Sequence, residues 1–401
     1  MKRNLRYFLI VSIIILLFTS CGEDYLEVSD PTVLSEDVFP NSVDDLDPIL
    51  TDLYGRLYRS YFSSGVFNKI VLFSHSNDHG YNGAEFNESA LNNLNADMAF
   101  LNTLWSESYL AIGKCNSFLS TIEKMKTEES ISASDIERID IMQGQTKFLR
   151  ALNYFYLINS FGEKPILSEA DKNTLGIPLW TEVSSEINGT AKPRETQGTI
   201  YDQIITDLTD ASNLLSGVVF DEKSRVDEWA VKSLLGKVYV FTLQWDKAKT
   251  TLKEVIDNSG KALVSYDFLR NEMFHGLGEF NNESIFEVNF TPDPLASWGS
   301  PSTGSIYPIF ISVTYVNDDN SESTNGFGNL FIHDETMKRY GFNDTTTVTQ
   351  KRPDYIAKSL QVRRDKSVDP RLYVSTYQPY VDSIYFEGQW RMVGKSRLES
   401  Y

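Results

Sequence analysis

The chain has 401 residues, 41% hydrophobic and 13% aromatic, enough apolar surface for a large buried core and unlike the composition of a disordered chain. Against 55 Asp and Glu stand 37 Lys and Arg, a formal charge of −18 that repels nucleic acid and anionic head groups and argues against nucleic-acid binding. That length predicts a closely integrated pair of domains.

At the N-terminus Lys2, Arg3 and Arg6 precede an apolar run from Tyr7 to Phe18. The run is too short for a bilayer core, which needs roughly 20 residues. Together with the small residues Thr19 and Ser20, these features mark residues 1–20 as a secretory signal peptide. Cys21 directly after them resembles the lipidated cysteine of a bacterial lipobox, with Phe18 where such boxes usually carry Leu. The resemblance implies that Cys21 becomes the first mature residue and anchors the protein to outer-membrane lipid; the alternative is a secreted soluble protein with a free cysteine. Each buried acyl CH₂ contributes about 0.8 kcal/mol, so several chains on one cysteine make a permanent tether. Gly22-Glu23-Asp24 resembles the acidic tag that sends lipoproteins of Bacteroidota-type bacteria to the outer face of the outer membrane. Residues 21–45, with Pro31 and Pro40 and no periodicity, read as an extended acidic lead-in. With Cys21 acylated, Cys115 has no disulfide partner and reads as a small packed hydrophobe.

Residues 46–260 carry helical periodicity. Leu46, Leu50, Leu53, Leu57 and Tyr61 recur at three- and four-residue steps, the spacing of one helix face. Leu104, Ser108, Ala111, Cys115, Phe118 and Ile122 form the inner side of a helix over 101–122. A longer helix is predicted over 134–161, with Met142, Leu149, Leu152 and Tyr156 inward and Gly162 and Pro165 as the stop. Gly176 to Arg194 reads as a non-helical crossover between Pro178 and Pro193. Thr199 with Asp202 then predicts the N-cap of a helix whose stripe is Ile200, Ile204, Leu208, Ala211 and Leu215, with Gly217 past its end. Leu235-Gly236, Tyr239, Ala248 and Leu252 fall at the spacings of a tetratricopeptide helix pair, with Gln244-Trp245-Asp246 as the turn. Lys232 stands where that pattern has Trp, and Val255 where it has Ala. One such pair cannot bury its own faces and must stack on neighbouring helices. Trp105, Trp229 and Trp245 lie on helical stripes or turns and read as core.

Residues 261–401 read differently, as a loop-rich region with short β-strands. Phe286, Val288 and Phe290 alternate with Glu287 and Asn289, a half-buried strand pattern over 283–290. Further on come short apolar runs such as 309–313 and one helix near 332–340. The fold class is therefore mainly α, a tetratricopeptide-like α-α repeat scaffold followed by this second region.

Several stretches together resemble the SusD-like (RagB/SusD) proteins. Gly144-Gln-Thr-Lys-Phe-Leu-Arg-Ala-Leu-Asn-Tyr-Phe-Tyr-Leu-Ile-Asn-Ser-Phe-Gly162 with Lys164-Pro165 is similar to their "FLRA…Y…L…FG" helix. Pro193-Arg194 with Tyr201-Asp202-Gln203-Ile204-Ile205 and Asp207-Leu208 is similar to their next segment. Trp105, Tyr109, Ile112 and Asn116, the pair over 229–256, and Asn282-Glu-Ser-Ile-Phe-Glu287 follow in the same order. Members usually close with an "RYAEvLLmyAEA" helix and a partner helix; the sequence to Tyr401 contains neither, which implies either a truncated C-terminal region or a fragment of a longer chain. The resemblance implies a non-catalytic surface lipoprotein of the outer membrane that binds glycan, sometimes peptide, and passes it to a SusC-like TonB-dependent transporter. The alternative is a scaffold or lid of that transporter without glycan affinity of its own.

Sugar binding needs flat apolar rings for pyranose C–H faces and planar polar groups for hydroxyls. Two loops carry that mixture. One, over 73–83, holds His75, Asn77, Asp78, His79, Tyr81 and Asn82; it is too polar and Gly-rich for a core element, and the alternative is a plain helix connection. The other, over 291–315, holds Trp298, Tyr307, Phe310 and Tyr315, with a packed loop anchor as the alternative for Trp298. His75 and His79 are four apart but lack the Glu of a zincin helix, so no metal site is assigned. Asp318-Asp-Asn-Ser-Glu322 is oxygen-rich, yet it lacks the Gly and distal Glu of a calcium loop; a solvated loop is the better reading, with a structural calcium ion left open. No nucleophile elbow, phosphate loop or dinucleotide fingerprint occurs, and no cofactor is implied. A glycosidase carboxylate pair is left open by the residues alone, and the resemblance weighs against it.

Overall fold

The computed structural model describes residues 40–57, 79–81, 99–128, 131–183, 191–220, 224–273, 278–288, 314–324, 330–332, 334–342, 352–364, 368–386 and 388–394. The signal peptide predicted over 1–20, Cys21 and the lead-in up to residue 39 lie outside them. The chain divides into a unit of residues 1–47 and a compact unit of residues 48–401. In the first, Val43–Asp45 form a 3-10 turn where an extended lead-in was expected. Asp45 accepts bonds from the Asn41 and Ser42 amides at 3.0 Å, which holds its carboxyl below the usual range.

Six helices dominate: α1 (Leu46–Leu57), α2 (Ala99–Lys126), α3 (Ala133–Phe161), α4 (Gln197–Leu214), α5 (Glu228–Phe241) and α6 (Trp245–Asn258). From α2 to α6 each packs on the next in chain order. The predicted inward stripes of α2 and α4 are buried at every position, as are Leu46, Leu50, Leu53 and Leu57 of α1; Tyr61 lies outside the described residues. Helix α3, 29 residues and about 43 Å long, has α2 on one side and α4 on the other. Its buried face is accordingly broader than one stripe and centres on Phe148, Ala151, Tyr154, Phe155 and Ile158, while Leu152 and Tyr156 are only half-buried. Ser132 caps it by accepting the Asp135 amide at 3.1 Å, and Gly162 ends it with an extended backbone.

Helix α4 begins three residues earlier than its sequence suggests. Thr196, not Thr199, is the N-cap, accepting the Thr199 amide at 3.1 Å. The buried Gln197 selects that start, because its side-chain amide donates to the Lys164 carbonyl and the Thr174 hydroxyl, both at 2.7 Å. Two close approaches set the helix spacing. A Cβ on Gly144 of α3 would lie 2.8 Å from Leu215 Cγ, and one on Gly236 of α5 would lie 2.4 Å from Leu252 Cδ2 of α6. The α5–α6 pair is the tetratricopeptide-like unit the spacing predicts. Lys232, in place of the usual Trp, pairs with Glu228 one turn back on α5 at 2.5 Å and joins the two helices through its ion pair with Glu254 of α6. Trp245 is 58% exposed rather than core, since it opens α6 just after the turn, and Trp105 and Trp229 are half-buried.

The rest is loop-rich. Short helices α7 (Tyr266–Asn271), α8 (Asp334–Arg339), α9 (Arg352–Arg364) and α10 (Arg371–Ser375) are joined by antiparallel pairs of brief strands. Strands β1 (His79–Tyr81) and β4 (Leu330–Ile332) pair with His79 opposite Ile332; β2 (Thr314–Val316) pairs with β3 (Glu322–Thr324), and β5 (Ser383–Phe386) with β6 (Gln389–Met392). The strand expected over 283–290 does not form within 283–288. There the Asn281 side chain accepts the Glu283 and Ser284 amides, and the Glu287 carboxylate accepts the Phe280 amide, so these groups are committed locally. Phe286 still faces the helices, 5.8 Å from Phe148 and 6.5 Å from Tyr54 between ring centres.

Candidate functional site

The residues that carry the sequence resemblance converge on the crossover after Gly176. Tyr109 donates to the Pro178 carbonyl at 2.8 Å and Asn116 to the Trp180 carbonyl at 2.9 Å. The Tyr154 hydroxyl donates to the Trp180 carbonyl at 2.6 Å and accepts the Trp180 amide at 2.8 Å. Arg150 grips Asp207 with two bonds, 2.8 Å from Nε and 2.6 Å from Nη2, and Asn116 Oδ1 at 2.8 Å from Nη1. Burial works to lower the Arg150 pKa, and the Asp207 pair overrides it, so the guanidinium stays charged. Burial also pushes the Cys115 thiol up to about 12, well away from nucleophilic use. This constellation is a buried clamp that fixes a connection between α2, α3 and α4.

Of the loop residues with sugar-binding chemistry, the described residues place three. His79 and Tyr81 lie in β1, so their loop contributes a strand to a sheet instead of remaining irregular, and Tyr315 lies in β2. His75, Asn77, Asp78, Asn82, Trp298, Tyr307 and Phe310 lie outside the described residues, as does the run 309–313. Asp318 to Ser321 lie in the tip of the β2–β3 hairpin and Glu322 opens β3. Asp319 accepts the Ser321 amide at 2.8 Å and Glu322 accepts the Tyr380 hydroxyl. Among the described residues no group of three or more His, Cys, Asp or Glu is arranged to hold a metal.

Tyr315 sits where the two hairpins meet. It bridges to Val393, and the Gly394 amide donates to the Thr314 carbonyl at 2.9 Å. The Arg391 guanidinium lies over the Tyr315 ring, 4.8 Å from its centre. Strand alternation then divides the β5–β6 hairpin into two faces. Ile384 is buried and Arg391 half-buried on one; Ser383, Tyr385, Trp390 and Met392 are exposed on the other, with Trp390 51% and Tyr385 39% accessible. Tyr385 and Trp390 are directly opposite, their ring centres 5.6 Å apart at 65°. The sequence signal was available: Ser383-Ile-Tyr-Phe, then Glu-Gly, then Gln-Trp-Arg-Met392 is a hairpin pattern, and Gly388 has φ 78°. A separate concavity of about 680 Å³ opens on α9, lined among the described residues by Ala357, Leu360, Gln361 and Arg364, without an aromatic ring.

Residues 24–240 match the model of a SusD-like family described as starch-binding and associating with the outer membrane. A SusD-like protein of Formosa agariphila, P2, is 23% identical over 313 residues, 77% of this chain and 57% of its own. The chain spans about half the length of the curated relatives it matches. Among solved structures, a SusD-like protein of Bacteroides fragilis superposes with a TM-score of 0.65 at 20% identity, covering 90% of this chain and 65% of its own. A laminarin-binding SusD-like protein superposes with a TM-score of 0.59 at 23% identity, covering 74% and 63%.

Proposed function

Because this chain belongs to the SusD-like family, described as starch-binding and outer-membrane-associated, we propose that it is a surface lipoprotein that binds glycan and hands it to a SusC-like TonB-dependent transporter without altering it. The observation that carries this reading is the family match over 24–240, which starts just after Cys21 and runs into α5. Cys21 is the anchor to the outer membrane, facing the cell exterior. The net charge of −18 favours neutral polysaccharides over uronic-acid or nucleic-acid polymers. The two aromatic-polar loops, 73–83 and 291–315, supply the ligand contacts. The family description as starch-binding, and the structure named for laminarin binding, which shares the fold, support a ligand of that class. Shallow sugar sites bind at about millimolar Kd, roughly −4 kcal/mol, so a transporter partner and a permanent tether supply what affinity alone does not.

A panel of neutral plant, host and microbial glycans in native affinity gels tests the reading: at least one retards the folded protein, and none doing so overturns it. Membrane fractionation tests the anchor. The wild type sediments with the outer membrane and Cys21→Ser is released; a wild type already free of membranes refutes the lipidation. A second reading, a docking scaffold for the transporter, draws on the exposed Phe241, Trp245 and Ile256 of the α5–α6 pair. Capture of a SusC-like partner that Trp245→Asp abolishes, with no glycan affinity, favours it.

A further inference from the structure

We propose that the outer face of the β5–β6 hairpin is a stacking site for a neutral pyranose, with Trp390 as its floor and Tyr385 as its flank, built from residues other than those of the loops 73–83 and 291–315. It rests on the glycan-binding reading and adds a location to it. Three large side chains, Tyr385, Trp390 and Met392, stay exposed on one strand face, while Ile384 on the opposite face is buried and Arg391 half-buried. That packing makes the platform rigid. Ile384 and Val393 are buried, the Val393 amide donates to the Asp382 carbonyl at 2.8 Å, and Val393 accepts the Tyr380 amide at 2.7 Å. The inclined contact between the two rings limits their rotation, so little side-chain freedom remains to be lost when a ligand stacks.

The chemistry of the face selects the ligand class. An indole and a phenol offer apolar faces for sugar C–H groups, and Ser383 and Tyr385 place hydroxyls, which donate and accept hydrogen bonds, on the same strand face. The acidic chain disfavours polyanions. A protein partner needs about 800 Å² of surface on each side, more than three partly covered side chains present. A sugar ring or two matches the size.

The test is retention of the full-length protein in native gels containing soluble starch or laminarin, for wild type, Trp390→Ala, Trp390→Phe and Tyr385→Ala. These side chains are exposed, and unchanged circular dichroism confirms that the variants fold. Trp390→Ala weakens retention by about tenfold, about 1.4 kcal/mol, and Trp390→Phe restores most of it. Tyr385→Ala weakens it less. If Trp298→Ala and Tyr81→Ala abolish retention while Trp390→Ala leaves it unchanged, the hairpin site is refuted and the glycan-binding reading stands. If the wild type is not retained by either polymer, the hairpin site falls; silence across the wider panel fells the glycan-binding reading too. Capture of a protein through Trp390 without any sugar retention also overturns the proposal.

Discussion

Replacing Arg150 by methionine keeps a long unbranched side chain but removes the charge from the centre of the helical stack. Arg150 and Asp207 side chains are 8% and 1% exposed, so neither is solvated once its partner is lost. The substitution deletes both bonds to Asp207 and those to Asn116 Oδ1 and the Thr181 carbonyl, leaving Asp207 with Gln203 at 3.1 Å. Breaking a buried pair by removing one partner costs about 3–5 kcal/mol, most of it the stranded charge. At roughly 2–4 °C per kcal/mol for a domain of this kind, thermal unfolding followed by circular dichroism shifts down on the order of 10 °C. The double variant Arg150→Met/Asp207→Leu removes the stranded carboxylate as well, and it recovers part of the loss, with a coupling above ~1 kcal/mol. A single-variant shift under 2 °C, or strict additivity in the double variant, refutes the clamp.

Gly236→Ala gains up to ~1 kcal/mol of helix propensity yet places a Cβ 2.5 Å from Leu252 Cγ, so the chain is destabilised by about 1–3 kcal/mol in urea melts. A neutral or stabilising result means that α5 and α6 are not closely packed there. Asp171 accepts bonds from Lys164, the Ser168 hydroxyl and the Leu167 amide, which together hold its carboxyl far below its ordinary value. A depressed folded pKa contributes stability that is complete above the unfolded value of about 3.9 and lost as pH falls below it. Asp171→Asn therefore lowers stability at pH 6 and flattens the loss as pH falls below about 4; an unchanged slope there contradicts the assignment. Cys115, fully buried with its thiol pushed up to about 12, resists iodoacetamide at pH 8 until guanidinium unfolds the chain, as peptide mass mapping reads out. Labelling in the native state at the rate of a free thiol contradicts its burial.

The helices were legible because burial imposes a 3.6-residue period, and the stripes of α2 and α4 record it position by position. Periodicity misled where a residue sits at an element's edge: Trp245 is in phase with a stripe but lies at the turn and is exposed. Helix α9 left no trace, since Arg352-Pro-Asp-Tyr-Ile-Ala-Lys-Ser-Leu-Gln-Val-Arg-Arg364 has charges on every side. The alternation over 283–288 foretold which way Phe286 points but not the absence of a partner strand, which depends on side chains capturing the backbone. The motifs most diagnostic of the family, around Asn116, Arg150, Tyr154 and Asp207, are clamp residues. They identify a fold and say nothing of a ligand. The hairpin that carries Tyr385 and Trp390 has a legible sequence pattern, but which of its two faces meets solvent is told only by burial.

Binding without cleavage is the central claim, and one measurement addresses both halves. The full-length protein is incubated with starch and with laminarin, the bound fraction is recovered on the immobilised protein, and the released chains are sized by chromatography. The account predicts that at least one polymer is held and returned at its original length. Shortened chains would make the protein a hydrolase, and no polymer held at millimolar concentration would leave it without the ligand class proposed.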